Sequence, residues 1–275
     1  MKKIIAVILT VLSLAFVAAG CGSKAETPAP AAPAPKKIVL KVGATAVPHA
    51  EILKAIQPAL EKEGIELKII EFTDYVRPNV ALAEKELDAN FFQHIPYLQQ
   101  FSTDRKLDLT YTVAVHIEPM GVYSKKIKDL KDIPDGAQVA IPNDPTNGGR
   151  SLAILAKAGL IKLKDGVGIK GTVKDVTDNP KKLVIKELEA PLLPRALDDV
   201  TIAVINANYA LEAKLAPSKD AIFLEAKDSP YANVLAVRKG DEKRSEIEKL
   251  SKALTSPEVK KFIEEKYKGA VVPAF

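Results

Sequence analysis

Residues 38–70 read IVLKVGATAVPHAEILKAIQPALEKEGIELKII, a helical pattern with a strand pattern on each side. The run 38–43 is rich in β-branched residues and ends in glycine, and the run 65–70 alternates apolar with polar residues. Between them, apolar residues recur on one helical face, and this helix ends near Gly64. The residues of that face are Ile52, Leu53, Ile56 and Leu60. This stretch predicts a strand, a helix and a second strand in succession.

The rest of the chain continues this alternation. Further strands are predicted at 87–92, 109–123, 138–142, 183–185 and 201–205, and further helices through 80–83 and from near Asn147, Ala207 and Asp241. Ser256 followed by Pro257 is typical of an N-cap and a first-turn proline. Strands that alternate with helices predict an α/β protein with largely parallel sheets.

The amino terminus has the pattern of an export signal. Lys2 and Lys3 precede an apolar core at 4–17, and small residues lead to Cys21, the single cysteine of the chain. One cysteine cannot form a disulfide within the chain, so we expect Cys21 to be acylated, with palmitate among its acyl chains, after removal of a signal peptide at 1–20. Ala18 stands where acylation signals usually carry leucine, and an ordinary signal peptide with an incidental cysteine is the alternative.

The segment 21–36 contains the run PAPAAPAPKK and almost no residue that could enter a core. Alternating proline and alanine favour extended conformations, so this segment predicts a semi-rigid tether between the lipid and a folded domain. A lipid-anchored protein of the cell envelope is the expected result.

Composition and motifs exclude several function classes. The formal net charge is +5, but basic residues are interleaved with acidic ones, which does not indicate a nucleic-acid interface. Hydrolase, phosphate-loop, metalloprotease and dinucleotide motifs are absent from the sequence. His49, His94 and His116 are too far apart in sequence to indicate a helical metal pair. We therefore expect a binding protein, without enzyme activity, cofactor or metal.

Polar and aromatic residues cluster where predicted strands turn into loops. In open α/β sheets, ligands bind outside the carboxyl ends of the strands. The segments at such ends are 73–75, 91–97, 115–118, 143–150 and 205–209. Together they offer aromatic walls, amide groups and one guanidinium, although each alone also fits a core residue or a plain turn.

Several blocks of the sequence resemble a known family. The blocks are EFTDYVRPNVALAEKELDANFFQHIPYL (71–98), EPMGVYSKKIKDLKDIPDGAQVAIPNDPTNGGRSL (118–152), ELEAPLLPRALDDV (187–200), AVINANYA (203–210) and DSPYANVLAVRKGD (228–241). In this order they are similar to the methionine-binding lipoproteins of the NlpA/MetQ family, from about Val39 to the end of the chain. The resemblance implies a periplasmic-binding-protein fold, with two α/β lobes, two crossing segments and the ligand in the cleft between the lobes. The lobes would comprise 37–115 with 231–275, and 116–230, with the crossings inside 109–123 and 221–237.

The resemblance also implies function and partners. The family delivers methionine, in some members the D-enantiomer or a methionine dipeptide, to the permease and ATPase of an ABC importer. We expect a monomer held to the membrane through the lipid on Cys21. The same fold binding a dipeptide or another amino acid stays an alternative, and an exported enzyme or an adhesin is the alternative from another class.

Site residues follow from the family's contact positions. The implied ligand contacts are Tyr75, Phe92, His94, Tyr97, Arg150, Asn206 and Asn233. Arg150 would hold the ligand carboxylate in a bidentate pair, and the tyrosines and Phe92 would surround the thioether. Gly148 and Gly149 would let backbone approach the ligand.

Other residues near these positions are given different roles. His94 would contact a ligand oxygen or satisfy core backbone. Phe91 is expected in the core, and His116 and Glu118 on a hinge strand.

Overall fold

The computed structural model describes residues 37–226 and 230–275. The predicted signal peptide (1–20), the acylation site Cys21 and the predicted tether (21–36) lie outside the described residues. Within the described ranges, no helix combines the length and the apolar character needed to cross a membrane.

Strands and helices alternate along most of the described chain. Strands β1 to β13 span Ile38–Thr45, Ile65–Phe72, Ala89–His94, Leu109–Ile117, Gly121–Tyr123, Gln138–Pro142, Lys162–Leu163, Val176–Asp178, Val184–Leu188, Ile202–Ile205, Phe223–Leu224, Ala232–Arg238 and Val272–Pro273. Helices α1 to α9 span Glu51–Lys62, Arg77–Ala83, Ile95–Arg105, Pro145–Lys157, Leu193–Ala196, Ala207–Glu212, Pro217–Asp220, Ser245–Leu254 and Pro257–Tyr267. The α/β class predicted from the alternation is confirmed.

The strands form two main sheets. The first has the order β13-β4-β12-β3-β1-β2, the second has the order β11-β5-β10-β6-β9, and β7 and β8 form a separate pair. Strands β1, β2 and β3 are parallel, as are β9, β6 and β10. Strand β12 is antiparallel to both β3 and β4, and β5 is antiparallel to β10. The expectation of largely parallel sheets was wrong for β12 and β5, each of which is the strand by which the chain enters a sheet after leaving the other.

The chain passes between the sheets twice. It leaves the first sheet after β4 and joins the second at β5, and it returns from β11 to β12. Both passages fall inside the segments expected to cross, 109–123 and 221–237. The lobe boundaries at 115/116 and 230/231 stay a prediction.

Helix α1 shows how the sequence pattern produces the packing. Its apolar face, Ile52, Leu53, Ile56 and Leu60, is buried in one cluster with Leu40 of β1. Burying each such side chain stabilises the fold by roughly 1.5–3 kcal/mol. The chain reverses after α1 at Gly64, whose φ of +79° suits a residue without a Cβ. Helix α1 and the turn at Gly64 thereby fix the position of the carboxyl ends of β1 and its neighbouring strands, where the site lies.

Helix α3 was not predicted. Its buried residues are few, Tyr97, Leu98 and Phe101, so its sequence carries only a weak helical pattern. The helix starts because the His94 side chain accepts a hydrogen bond from the backbone N–H of Tyr97, at 3.1 Å. Histidine is not among the usual N-cap residues, which explains why this start carries no sequence signal.

Candidate ligand-binding site

A buried cavity lies where strands of both sheets end, and we call it the cleft cavity. It is lined by Tyr75, Phe92, Gln93, His94, Tyr97, Glu118, Asn147, Arg150, Asn206, Ala207, Asn208 and Asn233. Every ligand contact implied by the family resemblance is in this set. The free space is about 20 Å³, room for about one water molecule. A ligand of amino-acid size therefore enters only when the lining side chains move apart.

Three aromatic rings form one wall of the cleft cavity. The ring centroid of Tyr75 lies 6.0 Å from that of Phe92 and 5.8 Å from that of Tyr97. The Tyr97 hydroxyl donates to the carbonyl of Tyr75 at 2.8 Å, and the Tyr75 hydroxyl donates to Oδ1 of Asn208 at 2.6 Å. Because both hydroxyls have partners in the protein, the rings offer mainly apolar surface to a ligand.

Arg150 in α4 is more constrained than the sequence suggested. Its Nε donates to Oε1 of Glu225 at 3.0 Å, and its Nη2 donates to Oε2 of Glu225 and, at 2.8 Å, to the carbonyl of Glu118. The guanidinium also stacks on Tyr231, 3.9 Å from the ring centroid. The two N–H groups of Nη1 have no partner in the part of the chain that the structure describes. The two-pronged face expected to hold a ligand carboxylate is thus taken by Glu225, and Nη1 is left for a ligand.

His94 has both ring nitrogens engaged. Its Nδ1 accepts from Tyr97, so its Nε2 carries the proton and donates to Oδ1 of Asn147 at 3.0 Å. Burial lowers the pKa of His94 to about 3, so the ring is neutral at pH 7. Of the two roles considered for His94, these bonds favour the structural one.

Asn147 joins the two sides of the cleft cavity. Its Oδ1 accepts from His94 and from Nδ2 of Asn206, the latter at 3.0 Å, and its Nδ2 donates to the carboxylate of Asp144. Asp144 also caps α4 by accepting from the backbone N–H of Asn147 at 2.9 Å. The sequence predicted a helix from near Asn147, with a plain turn as the alternative, and Asn147 lies in the first turn of α4. The Asp144 N-cap, three residues before it, was the signal that places it in a helix start.

Two buried polar atoms in the cleft cavity lack a protein partner. Oδ1 of Asn206 and Nδ2 of Asn208 make no hydrogen bond with any described residue. Buried polar groups are almost always paired, so each unpaired one calls for an explanation. Here one is an acceptor and the other a donor, and both belong to side chains that line the same cavity. Asn208 was not among the predicted contacts.

Glu118 belongs to a buried cluster behind the cavity and also lines it. Its Oε1 accepts from Nε2 of His116 at 2.7 Å, and Nε2 of His49 lies 3.2 Å from the same oxygen. Burial lowers the pKa of His49 to about 4 and that of His116 to about 3, and burial raises the pKa of Glu118. The ligand-type atoms of the three lie within 4.8 Å, a convergence that the sequence spacing did not predict. The side chains of Glu118, His116 and His49 thus already contact one another.

Phe91 lies in the core beside this cluster, as predicted. Glu118 was expected on a hinge strand, and it also lines the cleft cavity. It sits in the first passage between the sheets, just after β4, and passages of this kind border the cleft.

The glycine pair at the start of α4 serves packing within the protein. A Cβ at Gly149 would lie 2.1 Å from the carbonyl oxygen of Ile169, and one at Gly148 would lie 3.0 Å from that of Pro142. Neither glycine lines the cleft cavity, and the expectation that they let backbone approach the ligand stays a prediction. Backbone of the neighbouring loop fills the space at Gly149.

Comparison with known proteins agrees with this fold. The family model described as NlpA lipoprotein matches residues 40–275. The chain is 47% identical over 271 residues to the methionine-binding lipoprotein MetQ of Bacillus subtilis (strain 168), covering 95% of each chain. It resembles the solved structure of a nutrient binding protein from Burkholderia cenocepacia bound to methionine, with 52% identity, a TM-score of 0.84 and coverage of 86% of this chain and 100% of the other. An ABC transporter periplasmic substrate-binding protein from Coxiella burnetii is similar at 42% identity and a TM-score of 0.82, with 86% and 100% covered.

Proposed function

We propose, from the premise that this chain belongs to the NlpA lipoprotein family, that it captures methionine and delivers it to an ABC importer. The observation that carries this proposal is the unpaired donor and acceptor, Asn208 Nδ2 and Asn206 Oδ1, in one cavity with an aromatic wall. A free amino acid is a zwitterion, with an acceptor and a donor at one end and a side chain at the other.

The polar groups specify where each end of the zwitterion binds. The carboxylate accepts from Nη1 of Arg150 and from Nδ2 of Asn208, and the ammonium donates to Oδ1 of Asn206. The Arg150–Glu225 pair is neutral as a unit, so the site suits a ligand without net charge.

The aromatic wall recognises the side chain. Tyr75, Phe92 and Tyr97 surround an unbranched apolar chain, and a thioether sulfur gains about 0.3–1.5 kcal/mol for each aromatic contact. These features support an amino acid with an unbranched apolar side chain as the ligand.

Membrane attachment through Cys21 is part of the proposal. The export pattern that ends at the single cysteine and the lipoprotein name of the Bacillus subtilis relative support it. Two or more acyl chains hold a protein stably on a bilayer, whereas one binds only marginally. Cys21→Ser protein should leave the membrane fraction on a high-salt wash, while the parent stays. Retention of the variant would place the tether elsewhere.

Delivery to the permease and ATPase of an ABC importer is supported by the name of the Coxiella burnetii neighbour. The family resemblance supports a protein that works as a monomer at the outer side of a membrane, and this state stays part of the proposal.

Titration calorimetry tests the choice of ligand. The chain is first unfolded to release any bound compound and is then refolded. Norleucine and selenomethionine should bind within roughly 1–3 kcal/mol of methionine, since an apolar pocket discriminates poorly between isosteres. Methionine sulfoxide should bind far more weakly, because its oxygen would be buried without a partner. D-Methionine and a methionine dipeptide are titrated in the same assay, and their affinities distinguish the alternatives within the family.

Variants locate the side-chain end of the ligand. Phe92→Ala should weaken methionine more than alanine, because only the longer side chain reaches that ring. Phe101→Ala is the matched control, since Phe101 stacks on Tyr97 in the same cluster but does not line the cavity. Sulfoxide that binds as well as methionine would overturn the assignment.

A further inference from the structure

His49 lies just outside the cleft cavity and touches two of the residues that line it. Its Nε2 is 3.1 Å from Oδ1 of Asn233 and 3.2 Å from Oε1 of Glu118. On the other side of the ring, Nδ1 is 2.7 Å from the hydroxyl of Thr45. The side chain is 1% exposed and packs edge-on against Phe91, at 4.8 Å between ring centroids.

These contacts fix the tautomer of His49. A carboxylate oxygen only accepts, so the nitrogen that faces Glu118 carries the proton. Burial lowers the pKa of His49 to about 4, and the ring therefore has one N–H at pH 7. That N–H is on Nε2, and Nδ1 accepts from Thr45.

The tautomer in turn fixes the amide of Asn233. An Nε2–H group needs an acceptor opposite it, so the atom of Asn233 that faces His49 is the carbonyl oxygen. The Nδ2 group is then left for the cavity, and it makes no hydrogen bond with another residue of the described ranges. A donor in that position matches an acceptor on the ligand, and the carboxylate is the acceptor that an amino acid carries.

We infer that His49 is a positioning residue for ligand recognition, which holds the Asn233 amide so that its N–H groups face the ligand carboxylate. This inference rests on the proposed function. With the amide turned over, Oδ1 would face the carboxylate and repel it. His49 thus sets which end of a zwitterion the site accepts without contacting the ligand itself.

His116 is a matched control for His49. It is equally buried and donates to the same oxygen of Glu118, at 2.7 Å, but its side chain makes no hydrogen bond to the Asn233 side chain, although the two residues are paired between β4 and β12. His49→Phe and His116→Phe both remove a donor to Glu118 and keep a ring of similar shape. They differ in the contact to Asn233.

The test compares methionine with methionine amide, in which a neutral amide replaces the carboxylate. In the parent, methionine should bind more tightly. In His49→Phe the ratio of the two affinities should fall at least tenfold, and in His116→Phe it should stay within threefold of the parent. In an Asn233→Ala background, His49→Phe should change the ratio less than threefold, because the amide through which it acts is gone.

A purely structural role would weaken both ligands equally, and an unchanged ratio in His49→Phe overturns the inference. His49→Gln, whose amide can still donate to Asn233, should recover part of the ratio, and it provides the comparison should His49→Phe fold poorly. If the parent chain binds no methionine, both the proposed function and this inference are wrong. If the parent binds methionine and all variants give the same ratio of methionine to methionine amide affinity, only this inference is wrong.

Discussion

Arg150 shows how a residue identified from sequence can have a different geometry from the one expected. A guanidinium carries five N–H donors, and in Arg150 the Nε and Nη2 groups are used within the protein. Glu225, which takes them, lies far along the chain, in the second passage between the sheets. We therefore expect Arg150 to contact a ligand through Nη1 alone, from an orientation that Glu225 and Tyr231 hold fixed.

Replacing Arg150 should affect binding and folding separately. Arg150→Ala should cost about 2–5 kcal/mol of methionine affinity, because the ligand carboxylate loses its charged partner. It should also lower the free energy of unfolding by about 3–5 kcal/mol, because the Glu225 side chain, 12% exposed, is left without its cation. Calorimetry and urea unfolding measure the two effects.

Arg150→Ala combined with Glu225→Gln separates them. The double variant should regain most of the stability, because no buried charge is left unpaired, but none of the affinity. A double variant that binds methionine within threefold of the parent would remove Arg150 from the site.

Asn208 is the contact that the sequence did not reveal. Asn208→Asp keeps an oxygen for the Tyr75 hydroxyl and replaces the unpaired donor by an acceptor. Methionine should bind at least tenfold more weakly, a loss of roughly 1.4 kcal/mol, because two carboxylates then face each other. Asn206→Asp is the comparison by titration calorimetry: it places negative charge beside the ammonium but loses the hydrogen bond to Asn147, so it should weaken binding less than Asn208→Asp does. Equal affinities of Asn208→Asp and parent would contradict the proposed orientation of the zwitterion.

At the scale of elements, the helices and strands whose apolar residues recur with a strong period were predicted correctly. Helix α1 and strands β6 and β10 lie where apolar spacing placed them, because their side chains are buried on a regular face. Ser256 caps α9 as predicted, accepting from the backbone N–H of Val259. Helix α8 starts at Ser245, later than predicted, and α3 was missed because its start depends on a histidine cap.

The site could be predicted only as a set of residues. All contacts carried over from the family line one cavity, because the strand ends that bear them meet between the sheets. Their bonding could not be predicted, since it depends on partners distant in sequence, such as Glu225 for Arg150 and Asn233 for His49. Pairings of this kind follow from the fold and not from local pattern.

The start of α4 offers a test of packing between elements. Gly149→Ala should lower the free energy of unfolding by about 1–3 kcal/mol, because the Ile169 carbonyl must move to admit a Cβ. Gly148→Ala is the control. Its Cβ meets the Pro142 carbonyl at 3.0 Å, and the better helix propensity of alanine offsets a small shift. Urea unfolding that gives the two variants the same stability would contradict this reading of the loop.

At the scale of the whole molecule, the three buried histidines make stability depend on pH. Burial lowers the pKa of His49 to about 4 and those of His94 and His116 to about 3. In the unfolded chain, each takes up a proton below about pH 6.5. The unfolded state therefore binds more protons between about pH 3 and 6.5, and the free energy of unfolding falls as the pH falls through that window.

His116→Gln measures the contribution of His116 to this dependence of the free energy of unfolding on pH. Glutamine keeps a donor for Glu118 but does not titrate, so the loss of stability between pH 7 and pH 5 should be smaller than in the parent by about 2 kcal/mol. The raised pKa of Glu118 acts in the opposite sense, and the comparison with the parent largely cancels it. Urea unfolding at pH 7, 6 and 5 gives the slopes. Equal slopes in parent and variant would show that His116 is not kept neutral by the fold.

Closure around the ligand is the central property of the whole molecule. The Tyr75–Asn208 and His94–Asn147 bonds join residues that follow strands of different sheets, and the Tyr209 hydroxyl donates to the Thr73 carbonyl across the same gap. With about 20 Å³ free in this closed arrangement, the lining side chains must separate and close again for capture. A cavity so tight should exclude ligands much larger than methionine, although isosteres of methionine still fit.

The most direct test offers the refolded, ligand-free chain an equimolar mixture of the twenty amino acids with methionine dipeptides. Bound and free compounds are separated by gel filtration, and the bound compound is released by denaturation and identified by mass spectrometry. We predict methionine, at close to one molecule per chain. Release of another amino acid, of a dipeptide, or of nothing from a chain shown to be folded would contradict the account.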